Sequence, residues 1–140
     1  LDPMAKKETF PEATQVVSDF VETGFPKISV DKSSYVVILT RHKDDVPALK
    51  CSLKTNAAYI GMVASRRRVA LVFNQMLKEG FTEEQLQRVY SPVGLDIGAE
   101  TPEEIAVSIL SEIVKIRRLG REHEASSKKI EFPAIKAIDK

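Results

Sequence analysis

The stretch "AAYIGMVASRRRVALVFNQMLKEG", residues 57–80, contains a complete passage from strand to helix. "AAYIGM" is apolar throughout, which suits a strand buried inside a sheet. Ala64 and Ser65 make a small-residue turn, after which the apolar residues change period. Val69, Val72, Phe73, Met76 and Leu77 share one face of a helix that starts at about Ser65, and Gly80 supplies its left-handed stop. One feature breaks the local rule. Arg66, Arg67 and Arg68 sit in the first turn, where unpaired N–H groups already carry partial positive charge and an acid is favoured.

The same alternation recurs on both sides. Upstream, "SYVVILT", Ser34–Thr40, reads as a strand covered on both faces. A helix follows from about Asp44, with Asp44 as its cap, Pro47 harmless in the first turn, and Val46, Leu49 and Leu53 as its stripe. Downstream, "TEEQ", Thr82–Gln85, has capping-box spacing and predicts a short helix ending near Val89. The last helix opens on Thr101, Pro102 and Glu104: an N-cap, a proline at the first helical position and the reciprocal glutamate. Ile105, Ala106, Ile109, Leu110, Ile113 and Ile116 give it a wide apolar stripe, expected to lie flat on a sheet. Lys115, Arg117 and Arg118 complement its C-terminal dipole before Gly120.

The first thirty residues are less regular. Pro3 and Pro11 mark a loop, with a turn of helix expected at "PEA", residues 11–13. "TQVVSDFVETGF" fits either a strand or a helix ending near Gly24, and the strand at Gln15–Val17 is the reading adopted. From Arg121 the chain is polar apart from "IEFPAI", so residues 1–120 form the domain and 121–140 a tail. Strands alternating with helices predict βα units on a parallel sheet with flanking helices, and ligands bind such sheets at the carboxyl ends of the strands.

Composition narrows the function. The 21 basic and 20 acidic side chains nearly cancel, so there is no general positive field for nucleic acid. A lone cysteine permits no intrachain disulfide and fits a reducing compartment. Runs such as "YVVIL" are far too short to span a membrane, and the opening residues carry no signal-peptide pattern. A cytoplasmic domain that binds neither nucleic acid nor membrane is expected.

Three segments meet at the carboxyl edge of the predicted sheet. Gly61–Arg68 is a strand, small-residue turn and helix start, which offers N–H groups and arginine forks to a phosphate or carboxylate. The competing reading leaves two arginines in solvent and pairs the third with an acid. Thr40–Asp45, "TRHKDD", is a loop in which His42 and Asp45 could hold a metal or exchange protons, but two such residues are a weak signal and a solvated loop histidine is the preferred reading. Val93–Thr101 places Gly94 and Gly98 in tight turns. Asp96 and Glu100 lie across from the arginines, as either a charge network between the loops or ligand contacts. Cys51 falls off the apolar stripe and reads as a partly exposed thiol without a task. There is no G-x-S-x-G elbow, no cysteine pair of metal-site spacing and no G-x-G-x-x-G.

"YIGMVASRRRVALVF" followed by "EGFTEEQLQRVYSPVGLDIGAETPEEIAVSILSEIVKIRR" closely resembles the C-terminal Rossmann-like domain of the XdhC/CoxI family, and "FPEA" and "YVVILTRH" fit the same pattern. The resemblance runs from about Phe10 to Arg118. It implies an accessory factor rather than a catalyst, one that binds the molybdopterin cofactor, protects it during sulfuration and passes it to a molybdenum hydroxylase apo-enzyme. A cysteine desulfurase is a further implied partner. The implied cofactor site takes Thr40, Arg41 and His42 from the first loop and Gly61, Ser65, Arg66, Arg67 and Arg68 from the second. Gly94, Asp96, Gly98 and Glu100 come from the third.

Three departures from the family accompany the match. Ala64 stands where the family usually has glycine, and "TRHKDD" is one residue short. The chain is also expected to lack the family's N-terminal glycine-rich βαβ unit, with Asp2 standing where an acid would meet a ribose. That missing turn argues against the alternative, an NAD(P)- or nucleotide-dependent enzyme using the same cleft. It would also leave an apolar sheet edge unpaired, from which a homo-oligomer is expected.

Overall fold

The computed structural model describes residues 1–41 and 43–120; His42 and the tail lie outside the described residues. Helix α1 (Val21–Gly24) precedes strand β1 (Tyr35–Ile38), helix α2 (Asp45–Leu53) and strand β2 (Tyr59–Met62). Helices α3 (Arg66–Lys78) and α4 (Glu83–Leu86), strand β3 (Val89–Tyr90) and helix α5 (Pro102–Leu119) complete the order. The strands form one parallel sheet in the order β1-β2-β3, an α/β, Rossmann-like arrangement with flanking helices.

β2 is central and buried along its whole length, as its unbroken apolar run requires. On one face, Ile60 and Met62 align with Val36 and Ile38 of β1. They join Leu49, Leu53, Val69, Val72, Phe73 and Met76 in the core, so the predicted stripes of α2 and α3 are the ones that pack. On the other face, Tyr59 stacks on Tyr90 at 4.7 Å and lies 6.4 Å from Tyr35 between ring centres. The Tyr59 hydroxyl donates to Glu112 of α5 at 2.6 Å, which holds α5 over β2 and β3.

β1 departs from the expectation of a strand covered on both faces. Among the described residues it pairs only with β2, and Val37 and Leu39 are exposed because α5 covers the second face of the sheet elsewhere. α4 ends at Leu86, and Val89–Tyr90 become a third strand where the end of a helix was predicted. Two residues are too few for periodicity to reveal a strand; pairing with Ile60 and Gly61 creates it.

The N-terminal segment also differs from its reading. Gln15–Val17 forms no strand; Val17 is buried and its carbonyl accepts from the Asp2 N–H at 3.1 Å. The helical alternative holds for the second half of that stretch, as α1. The early turn of helix is a 3-10 turn at Lys7–Thr9, and residues 11–13 are non-helical. Asp44 occupies the N-cap position of α2, but its side chain makes no capping bond.

The other helix boundaries follow their signals. Thr82 with Gln85, and Thr101 with Glu104, each form both bonds of a capping box, and Gly80 and Gly120 have φ of 92° and 74°. α5 turns differently from its reading. Its inward row is Ser108, Glu112 and Ile116, with Ile109 and Ile113 half-buried; Ala106 and Leu110 face outward, and Ile105, on the inward side, is exposed near the start of the helix.

Candidate functional site

Parallel strands release their carboxyl ends at one edge, so the loops after β1, β2 and β3 share it, as predicted. At the second loop, Ser65 caps α3: its Oγ accepts the Arg68 N–H at 3.3 Å. The first turn of this 13-residue helix holds no acid. Arg66 and Arg67 are exposed and have no ion-pair partner among the described residues. Their backbone N–H groups belong to the unsatisfied first turn of the helix, a ready site for an anion.

Arg68 is different. Its Nε donates to Asp45 Oδ2 at 2.7 Å, and Asp45 is only 2 % exposed. The other Asp45 oxygen accepts from the Thr40 hydroxyl. This trio ties the loop after β1 to the first turn of α3. A buried carboxylate is tolerated only when it is paired and hydrogen-bonded, and here both oxygens are engaged. Asp45 is therefore committed to an ion pair, and Thr40 supports that pair. This is the division the competing reading describes, two arginines exposed and the third paired with an acid, and the acid is Asp45 rather than Asp96 or Glu100. Among the described residues, no group of three His, Cys, Asp or Glu side chains could hold a metal ion. Arg41 is exposed at the same edge.

Gly61 and Gly94 prove to be packing residues. Gly61 lies within β2, and a Cβ there would come within 2.6 Å of Tyr59 Oη and 2.7 Å of Val93 Cγ2. Gly94 has φ of 94°, and a Cβ would run into the Ser108 hydroxyl and sit 3.2 Å from the Ile109 nitrogen. Its N–H donates to Glu112 Oε2 at 3.0 Å, the oxygen that also accepts from Tyr59. Glu112 thus joins sheet, loop and helix, a role the sequence reading missed. The available signal was an acid set among the isoleucines of α5.

Gly98 has φ of 71° with open space around it, and Asp96 and Glu100 are exposed. Neither acid pairs with an arginine among the described residues, so the predicted charge network between loops does not form. The Glu100 N–H donates to Glu104 Oε2 at 2.9 Å, which extends the cap of α5. Hydrogen bonds from the Thr101 and Glu100 N–H groups hold the Glu104 carboxyl below the usual carboxylate range. Burial pushes the half-buried Cys51 thiol up, away from the nucleophilic thiolate form.

Fold and edge together define a Rossmann-like domain with a cationic helix start at the carboxyl end of its sheet. Residues 2–113 match the family model of the XdhC Rossmann domain, and the chain belongs to that family. It is 35 % identical over 111 residues to the uncharacterised protein YqeB of Escherichia coli, covering 79 % of this chain and 20 % of that protein. It is 34 % identical over 110 residues to a probable xanthine dehydrogenase subunit of Bacillus subtilis, covering 78 % of this chain and 31 % of that protein. A crystal structure of a Bacillus halodurans protein described as a xanthine dehydrogenase superposes with a TM-score of 0.66 at 27 % identity. That match covers 93 % of this chain and 35 % of the other. The chain spans between a fifth and a third of the two curated relatives' lengths.

Proposed function

We propose that this domain binds molybdopterin cofactor by its phosphate end and assists its sulfuration and its insertion into a molybdenum hydroxylase of the xanthine dehydrogenase or CO dehydrogenase type. The observation that carries the reading is the acid-free, doubly cationic start of α3 at the carboxyl edge of the sheet. Arg68 is engaged by Asp45, whereas Arg66 and Arg67 stay exposed, unpaired among the described residues, at a helix N-terminus without acids. An arrangement that costs helix stability and joins no internal pair fits a site that receives an anion. Arginine forks and backbone N–H groups both match phosphate oxygens.

Family membership and the two similar proteins named for xanthine dehydrogenase support the choice of client, and the cofactor is the one the family resemblance implies. In this reading the chain's own residues bind and orient. Arg66 and Arg67 grip phosphate, and Thr40, Asp45 and Arg68 hold the two loops in register. The cofactor supplies the redox chemistry to its client, and a cysteine desulfurase supplies sulfur.

Mass spectrometry of small molecules released from the protein, expressed in a molybdenum-replete host, tests this directly. A released pterin phosphate is the expected result. Release of NAD(P) or another nucleotide alone, accompanied by nucleotide turnover, would replace this reading with that of a nucleotide-dependent enzyme.

A further inference from the structure

The face of α5 turned away from the sheet is apolar where a solvated helix would be polar. Val107, Leu110 and Val114 are 56 %, 60 % and 47 % exposed, and they line an open groove with Ser111, Lys115 and Arg118. At about 100° per residue, Glu103, Val107, Leu110, Ser111, Val114 and Arg118 fall within an arc of about 100°, opposite the inward row of Ser108, Glu112 and Ile116. The arc is acidic at one end and basic at the other, with aliphatic residues between. Glu103 and Arg118 have no ion-pair partner among the described residues. Complementing the helix dipole accounts for the two charges, but not for three exposed aliphatic side chains between them.

We propose that this arc is a self-association face, laid antiparallel on α5 of a second copy about a two-fold axis between Leu110 and Ser111. The order of residues is self-complementary under that operation. Val107 meets Val114 of the partner subunit and Glu103 meets Arg118 of the partner subunit, and each of these pairings occurs twice, as an isologous interface requires. Leu110, beside the axis, meets Leu110 of the partner subunit. The occupant is a second copy because the acidic and basic ends lie equally far from the centre of a single helix. The parallel arrangement would set like charges against each other.

Sedimentation velocity on the 140-residue chain, from micromolar to millimolar concentration, tests the proposal, with circular dichroism confirming that each variant folds. The wild type forms a concentration-dependent dimer. Val114→Glu, which places a charge in the apolar centre, abolishes it. Glu103→Arg and Arg118→Glu each weaken association at least tenfold, and the double variant recovers to within about threefold of the wild type, about 0.7 kcal/mol. A helix-dipole role for these charges predicts no such recovery. A wild type that stays monomeric at millimolar concentration overturns the proposal. So does a dimer indifferent to Val114→Glu, which would place the interface at the open edge of β1, or a double variant as weak as the singles.

Discussion

Three consecutive arginines, identical in composition, occupy two environments: Arg68 pairs with the buried Asp45, and Arg66 and Arg67 are exposed. Arg66→Ala and Arg67→Ala should each weaken binding of inorganic pyrophosphate by about 1.5–3 kcal/mol, the scale of hydrogen bonds to charged groups. Neither should lower the melting temperature, because removing a cation from a helix start relieves a dipole conflict of about 0.3–1 kcal/mol. Arg68→Ala should instead destabilise the fold by about 3 kcal/mol, since it strips the partner from the buried Asp45 carboxylate. Titration calorimetry and melting curves on the three variants separate the two roles. Unchanged pyrophosphate affinity in both Arg66→Ala and Arg67→Ala would end the anion-site reading. The glycines divide in the same way. Gly94→Ala and Gly98→Ala share the cost of a left-handed residue, about 1–2 kcal/mol, but only Gly94 also meets Ser108 and the α5 backbone. Gly94→Ala should therefore be the more destabilising, and equal losses in chemical denaturation would contradict the packing role.

At the scale of elements, α5 is stabilised at its start by local bonds and held to the sheet by a few polar ones. Thr101 Oγ1 accepts from the Glu104 N–H at 3.3 Å, and Glu104 returns a bond to the Thr101 N–H at 2.9 Å. Thr101→Ala should cost about 1 kcal/mol, with pyrophosphate affinity nearly unchanged. Loss of ligand binding at full stability would place Thr101 in the site instead. The capping signals at Thr82 and Thr101 were legible because both partners of each bond lie within three residues. The orientation of α5 was not. Its apolar residues run almost all the way round, and a polar row, Ser108 with Glu112, faces inward to bind Leu95, Gly94 and Tyr59.

In the whole molecule, acid tolerance depends on carboxylates held below their ordinary range. Asp19 is lowered from 3.8 to about 2, chiefly by its hydrogen bond with Lys27 at 2.7 Å and then by Thr23 and the Phe20 N–H. A carboxylate depressed in the folded state stabilises it fully above the unfolded value. That contribution is lost as pH falls from 3.8 through about 2. Asp19→Asn should lower stability at neutral pH and flatten the stability profile across that window, as read by denaturation at a series of pH values. An unchanged slope would show that the Asp19–Lys27 pair does not form in solution. The pair links the segment before α1 to the turn at Phe25–Lys27, where secondary structure is sparse.

Alternation of strand and helix, the core stripe of α3, and the stops at Gly80 and Gly120 were determined by the sequence itself, because each rests on periodicity or on hydrogen bonds within a turn. The shared carboxyl edge followed from parallel topology, so the three candidate loops could be placed together before any side chain was seen. Tertiary structure alone decided which arginine was committed, since Arg68 and Asp45 are 23 residues apart. It alone made Glu112 the link between sheet and helix, through a bond spanning 53 residues to Tyr59. It also created β3, which exists only by pairing with β2. Local rules act within one helical turn, whereas a buried charge or a two-residue strand takes its stability from partners that only chain folding brings near.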